Sequence, residues 1–137
     1  MPKTNIIFIM SDDHAAHAIS AYGSRVNQTP QLDRIAKEGM RMDAVYCTNS
    51  ICSPSRASIL TGTYSHMNGV SSIWTEMDYR VPTFVDVLHD AGYKTAMFGK
   101  WHLGETGVSQ PRGFDEWKIF PGQGDYVNPE MIDENGT

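Results

Sequence analysis

Residues 5 to 10 read Asn-Ile-Ile-Phe-Ile-Met, an almost wholly apolar run that passes at once into Ser11-Asp12-Asp13-His14. A run without polar alternation suits a strand covered on both faces, as in a largely parallel sheet with helices on either side. Two adjacent carboxylates straight after such a strand are costly to bury unless a positive charge sits between them. In open α/β sheets, ligands bind beyond the carboxyl ends of strands. Oxygen donors there suit a hard cation, Ca²⁺ or Mg²⁺. The structural alternative is that Asp12 or Asp13 caps a helix starting near His14.

The rest of the chain continues the alternation. Thr29-Pro30 through Gly39 carries a helix start, an apolar face of Leu32, Ile35 and Ala36, and a glycine stop. Met40 to Tyr46 reads as a strand. Thr63 to Arg80 has no clean period and reads as a loop, with His66 and Trp74 as candidate substrate contacts. Val81 to Gly92 predicts a second helix whose core face is Phe84, Val87, Leu88 and Ala91, with His89 in solvent. Tyr93 to Phe98 predicts the next strand, delivering Gly99-Lys100-Trp101-His102-Leu103-Gly104. The aromatic, Gly-rich stretch from Pro111 through Pro121-Gly122-Gln123-Gly124-Asp125-Tyr126 reads as an ordered surface loop. Without a strand before it and a helix after it, Gly122-x-Gly124 is no dinucleotide fingerprint. Strand–helix–strand order implies parallel pairing and an α/β fold with a mostly parallel sheet flanked by helices.

Cys52-Ser53-Pro54-Ser55-Arg56-Ala57-Ser58-Ile59-Leu60-Thr61-Gly62 predicts a helix with Ser53 as N-cap, Pro54 at its first position and Gly62 as its stop. Cys52 then sits just outside a helix N-terminus, where negative charge is favoured. Arg56 in the first turn works against the helix dipole. A local rule broken without local gain marks a candidate functional position. A parallel sheet sends Asp12-Asp13 and Lys100/His102 to one edge, where the Cys52 helix can face them. Carboxylates, a reactive Cys and three cationic side chains at one edge describe an anion site built around a cation.

These residues also carry a family resemblance. Cys52-x-Pro54-x-Arg56 followed by Ala-Ser-x-x-Thr-Gly, with Asp12-Asp13 before it and Gly-Lys-Trp-His-Leu-Gly after it, resembles the type I sulfatases of the alkaline-phosphatase-like superfamily. The resemblance implies that Cys52 is converted to Cα-formylglycine by a formylglycine-generating or maturase enzyme. One hydroxyl of the hydrated aldehyde attacks sulfur and releases the alcohol. The other expels sulfate as the aldehyde re-forms. Asp12, Asp13 and the modified Cys52 are implied as metal ligands, with Ca²⁺ the usual ion. Arg56 is implied to hold the formylglycine, and Lys100 and His102 to bind sulfate and the formylglycine hydroxyl. The substrate class implied is a sulfated small molecule or glycan. Pro-Gly-Gln-Gly-Asp-Tyr with the following Asn-Pro resembles bacterial carbohydrate sulfatases, including those acting on N-acetylglucosamine 6-sulfate. A formylglycine-dependent phosphonate monoesterase or phosphodiesterase is the alternative within the superfamily, and a non-catalytic scaffold the alternative outside it.

Family members are several-fold longer than these 137 residues. The expectation is therefore the N-terminal part of a sulfatase catalytic domain (residues 1–137), with the remaining metal ligands downstream and little activity of its own. Charged residues at 20% and hydrophobic residues at 40% indicate a globular segment. A net charge of −5 without a basic run argues against nucleic acid as partner. No apolar run reaches the length of a membrane span. Location is expected to be cytoplasmic if Met1 is the native start, and periplasmic or secreted if a leader was removed. Cys47 and Cys52 alone make no disulfide framework.

Overall fold

A computed structural model describes residues 3–78, 80–104 and 110–136. The chain divides into two compact units, Met1–Tyr46 and Cys47–Thr137.

In the first unit, helix α1 spans Pro30–Glu38, with Thr29 as N-cap and Pro30 at the first position. Its start is tied to an upstream 3-10 turn, Ser20–Tyr22. The Ser20 hydroxyl donates to Asp33 at 2.7 Å, and the Ser20 amide donates to the Thr29 hydroxyl at 2.9 Å. Leu32 and Ile35 of the expected inner face are exposed. Two predicted strands do not form. Residues 5–10 and 40–46 have no ladder partner among the described residues. A strand exists only through its neighbour's hydrogen bonds, and Ile7 and Ile9 are each 84% exposed. Only single 3-10 turns, not a helix, follow His14.

The second unit holds helices α2 (Cys52–Thr61), α3 (Ser65–Asn68) and α4 (Phe84–Asp90), and strands β1 (Ala96–Lys100), β2 (Glu116–Phe120) and β3 (Ile132–Asp133). The sheet order is β1-β2-β3. β1 and β2 are parallel, with Ala96 opposite Glu116 and Lys100 opposite Phe120. β2 and β3 are antiparallel, so the sheet is mixed rather than mostly parallel. β2 lies where a surface loop was expected. Its alternation of exposed Glu116 and Lys118 with buried Trp117 and Ile119 is the period of a half-buried strand.

Trp117 and Ile119 pack with Ala57, Val70, Met77, Trp101 and Leu103 into one core. Trp101 meets Phe114 edge-on, with ring centroids 6.2 Å apart. α4 opens on a reciprocal capping box between Thr83 and Asp86. It turns Val85 inward and leaves Phe84 and Val87 exposed, which shifts its buried face from the predicted one. His89 is half-exposed, 3.8 Å from Asp115. No helix among the described residues is long and apolar enough to cross a membrane.

Candidate active site

The helix carrying Cys52 starts two residues earlier than expected. Ile51, in extended conformation, is the N-cap, and Cys52 is the first helical residue. Ser53 therefore does not cap. Its side chain is buried and donates to the Ile73 carbonyl at 3.5 Å, holding the 72–77 loop against the helix start. Gly62 ends the helix at φ 66°, a left-handed stop that a side chain would strain. Cys52 itself is half-buried and is a free thiol.

Arg56 is 8% exposed, and its Nη1 donates to the backbone carbonyl of Lys100. That contact accounts for a buried cation near the start of α2, which the observed helix start places just past the first turn. The guanidinium is used sideways, to fasten the end of β1 to the helix, rather than to serve the helix. Lys100, the last residue of β1, turns its side chain back over α2, with Nζ 3.5 Å from Cys52 Sγ. Cys52, Arg56 and Lys100 are thereby gathered within the second unit.

His102 follows two residues later in left-handed backbone, φ 55°. Its neighbours Trp101 and Leu103 are both in the core, and the Leu103 carbonyl accepts from the Met77 amide at 2.9 Å. The flanking anchors fix a conformation that costs a non-glycine residue about 1–2 kcal/mol. Asp13 has the same backbone hand, φ 49°. Such outliers cluster at functional sites, and His and Asp are among the residues that tolerate them best.

Asp12 and Asp13 belong to the first unit and are exposed. Their oxygens are the donor type that Ca²⁺ and Mg²⁺ take. A Ca²⁺ shell needs about six to eight such oxygens. Among the described residues, no three His, Cys, Asp or Glu side chains gather closely enough to hold a metal ion. The donor chemistry of the pair thus fits a hard cation, and these two residues meet only part of its shell.

Gln123 is the neighbour that the sequence reading passed over. Lys100 Nζ donates to its side-chain oxygen. The available signal was the Gly-x-Gly turn directly after an alternating aromatic segment. His66 and Trp74 stand apart from these contacts: His66 stacks on Tyr64 at 6.0 Å, and Trp74 is 86% exposed.

Residues 4–136 match the Sulfatase family model. Over 135 residues the chain is 47% identical to an N-acetylglucosamine-6-O-sulfatase of Bacteroides thetaiotaomicron, covering 96% of this chain and 24% of that protein. It is 40% identical over 127 residues to arylsulfatase G of Rattus norvegicus, covering 88% of this chain and 24% of the relative. A protein solved in complex with its substrate D-glucosamine-2-N,6-O-disulfate superposes with a TM-score of 0.89 at 48% identity, covering 95% of this chain and 26% of that one. The chain thus spans about a quarter of the length of the relatives it matches. With a family match over nearly every residue, this chain belongs to the sulfatase family.

Proposed function

We propose that this chain is the N-terminal part of the catalytic domain of a sulfuric ester hydrolase that acts on carbohydrate sulfates, with a 6-O-sulfated N-acetylglucosamine as the favoured substrate. The observation that carries the reading is Cys52 in the first turn of α2 with the Lys100 ammonium 3.5 Å away. The 47% identity to an N-acetylglucosamine-6-O-sulfatase supports the sugar.

In this reading Cys52 is the position converted to formylglycine, whose hydrate supplies both the attacking hydroxyl and the one that later expels sulfate. Lys100 offers positive charge to the sulfate oxygens, where negative charge must be accommodated as the S–O bond to the sugar breaks. Arg56 keeps the Lys100 main chain at the helix that carries the nucleophile. His102 is the group suited to moving a proton near neutral pH. Asp12 and Asp13 would hold part of a hard-cation shell. The cation would supply Lewis-acid polarisation of a sulfate oxygen.

The test uses the longest natural protein that carries this chain, expressed in its native host. Mass spectrometry of the tryptic peptide Met42–Arg56 should show loss of sulfur and gain of an aldehyde oxygen at Cys52. Turnover of N-acetylglucosamine 6-sulfate should exceed that of a matched phosphate ester and vanish in Cys52→Ala. An unmodified thiol, together with activity indifferent to Cys52→Ala, sinks the reading. A preference for phosphate or phosphonate esters moves it to the alternative esterase chemistry.

A further inference from the structure

The side chain of Gln123 is placed by a chain of backbone constraints that ends on Lys100. β1 and β2 run parallel, with Lys100 opposite Phe120 as the last residue of each strand. Directly after Phe120 the chain turns sharply, and the Gly124 amide donates to the Pro121 carbonyl at 2.9 Å. Both glycines of this turn have positive φ, 51° at Gly122 and 75° at Gly124. A Cβ on Gly124 would lie 2.9 Å from Phe120 Cβ, so the turn can close this tightly only with glycine there. The turn presents Gln123 at the strand ends, where its side-chain oxygen accepts from Lys100 Nζ.

We propose that Gln123 is a positioning residue that holds the Lys100 ammonium beside position 52 before substrate arrives. This rests on the sulfatase reading above. A lysine amine sits on a flexible four-carbon stem and is poorly fixed by one contact. It has three N–H donors. One direction is taken by the position 52 side chain and another by Gln123, so the stem is held from two sides. A neutral acceptor suits the task. A carboxylate in the same place would hold the amine as well but would cancel the charge that the sulfate oxygens need. Because lysine can only donate, the Gln123 amide must turn its oxygen, not its nitrogen, toward it.

The variant is Gln123→Met, which keeps length and removes the acceptor. Gln123 is exposed, so no core packing is lost. The longest natural protein carrying this chain is labelled with limiting acetic anhydride, and acetylation of Lys100 is read by mass spectrometry against the exposed Lys118. Kinetics are measured on 4-nitrophenyl sulfate and on N-acetylglucosamine 6-sulfate. The expected result is several-fold faster labelling of Lys100 in the variant, with kcat/KM falling about tenfold and by the same factor on both substrates. Unchanged labelling overturns the proposal. Faster labelling with unchanged kinetics also overturns it, and so does a loss confined to the sugar substrate, which would make Gln123 a sugar contact. If the parent protein turns over neither sulfate, it is the sulfatase reading that fails, and the labelling result still decides whether Gln123 holds Lys100.

Discussion

Lys100 Nζ lies 3.5 Å from Cys52 Sγ, joining the end of β1 to the first turn of α2 across 48 positions of sequence. In the proposed reading, an ammonium so near the reacting position would stabilise the negative charge of the sulfate group as its ester bond breaks. Lys100→Met should therefore lower kcat/KM for a sulfate ester by on the order of 100- to 1,000-fold, the usual effect of deleting one preorganised oxyanion donor. Thermal unfolding of the same variant should be little changed, since the side chain is only half-buried. Steady-state kinetics and a melting curve on one preparation check both halves.

Arg56 makes the opposite kind of contribution. It is buried and donates to the main chain of Lys100, so its removal should be felt in stability as well as in rate. Loss of a buried charged donor costs about 1.5–3 kcal/mol. Arg56→Ala should destabilise by that amount in chemical denaturation and also lower activity. Arg56→Lys keeps the charge but not the planar fork, and should recover stability only in part.

Much of this site was legible in the sequence because it is local. Cys52, Arg56 and the Gly62 stop lie on one helix, and Lys100 ends a strand whose approximate place the pattern of residues 93 to 98 gave. Element order implied parallel partners at 5–10 and 40–46, whereas the parallel partner of β1 is β2. What escaped was set by tertiary partners. Residues 5–10 carry the composition of a buried strand but have no ladder neighbour among the described residues. β2 is flanked by the turn glycines Gly113, Gly122 and Gly124, which suggest a loop, although Glu116-Trp117-Lys118-Ile119 alternates cleanly. Ile51 rather than Ser53 is the cap, and the buried Ser53 hydroxyl instead donates to the Ile73 carbonyl, a contact 20 residues away that no local rule contains. Gln123 was invisible for the same reason: its meaning lies in the register of two strands.

The backbone of His102 allows its side chain to be separated from its conformation. At φ 55° a Cβ is strained and glycine is not. His102→Gly should therefore be more stable than His102→Ala by about 1 kcal/mol, and both should lose most of their activity. Paired denaturant titrations of the two variants measure the difference. Equal stabilities would mean that the left-handed conformation at this position is relaxed in solution.

Acid should loosen the sheet at the end away from Lys100. Asp115 precedes β2 and accepts from Lys94 Nζ at 2.8 Å, and from the Thr95 amide at 2.8 Å just before β1. The Lys94 hydrogen bond, followed by that from the Thr95 amide, lowers the Asp115 carboxyl to about 2. An unfolded aspartate titrates near about 3.9. A carboxyl depressed in the folded state binds protons less readily than in the unfolded chain, so the stability it lends is complete above the unfolded value. That stability is lost as pH falls from about 4 to about 2. Asp115→Asn should thus be less stable than the parent at neutral pH, and its stability should fall less steeply over that acid range. Denaturation midpoints of both proteins between pH 7 and pH 2 read the effect, with the two curves converging at the acid end. Parallel curves would assign the strand-start clamp to Thr95 alone.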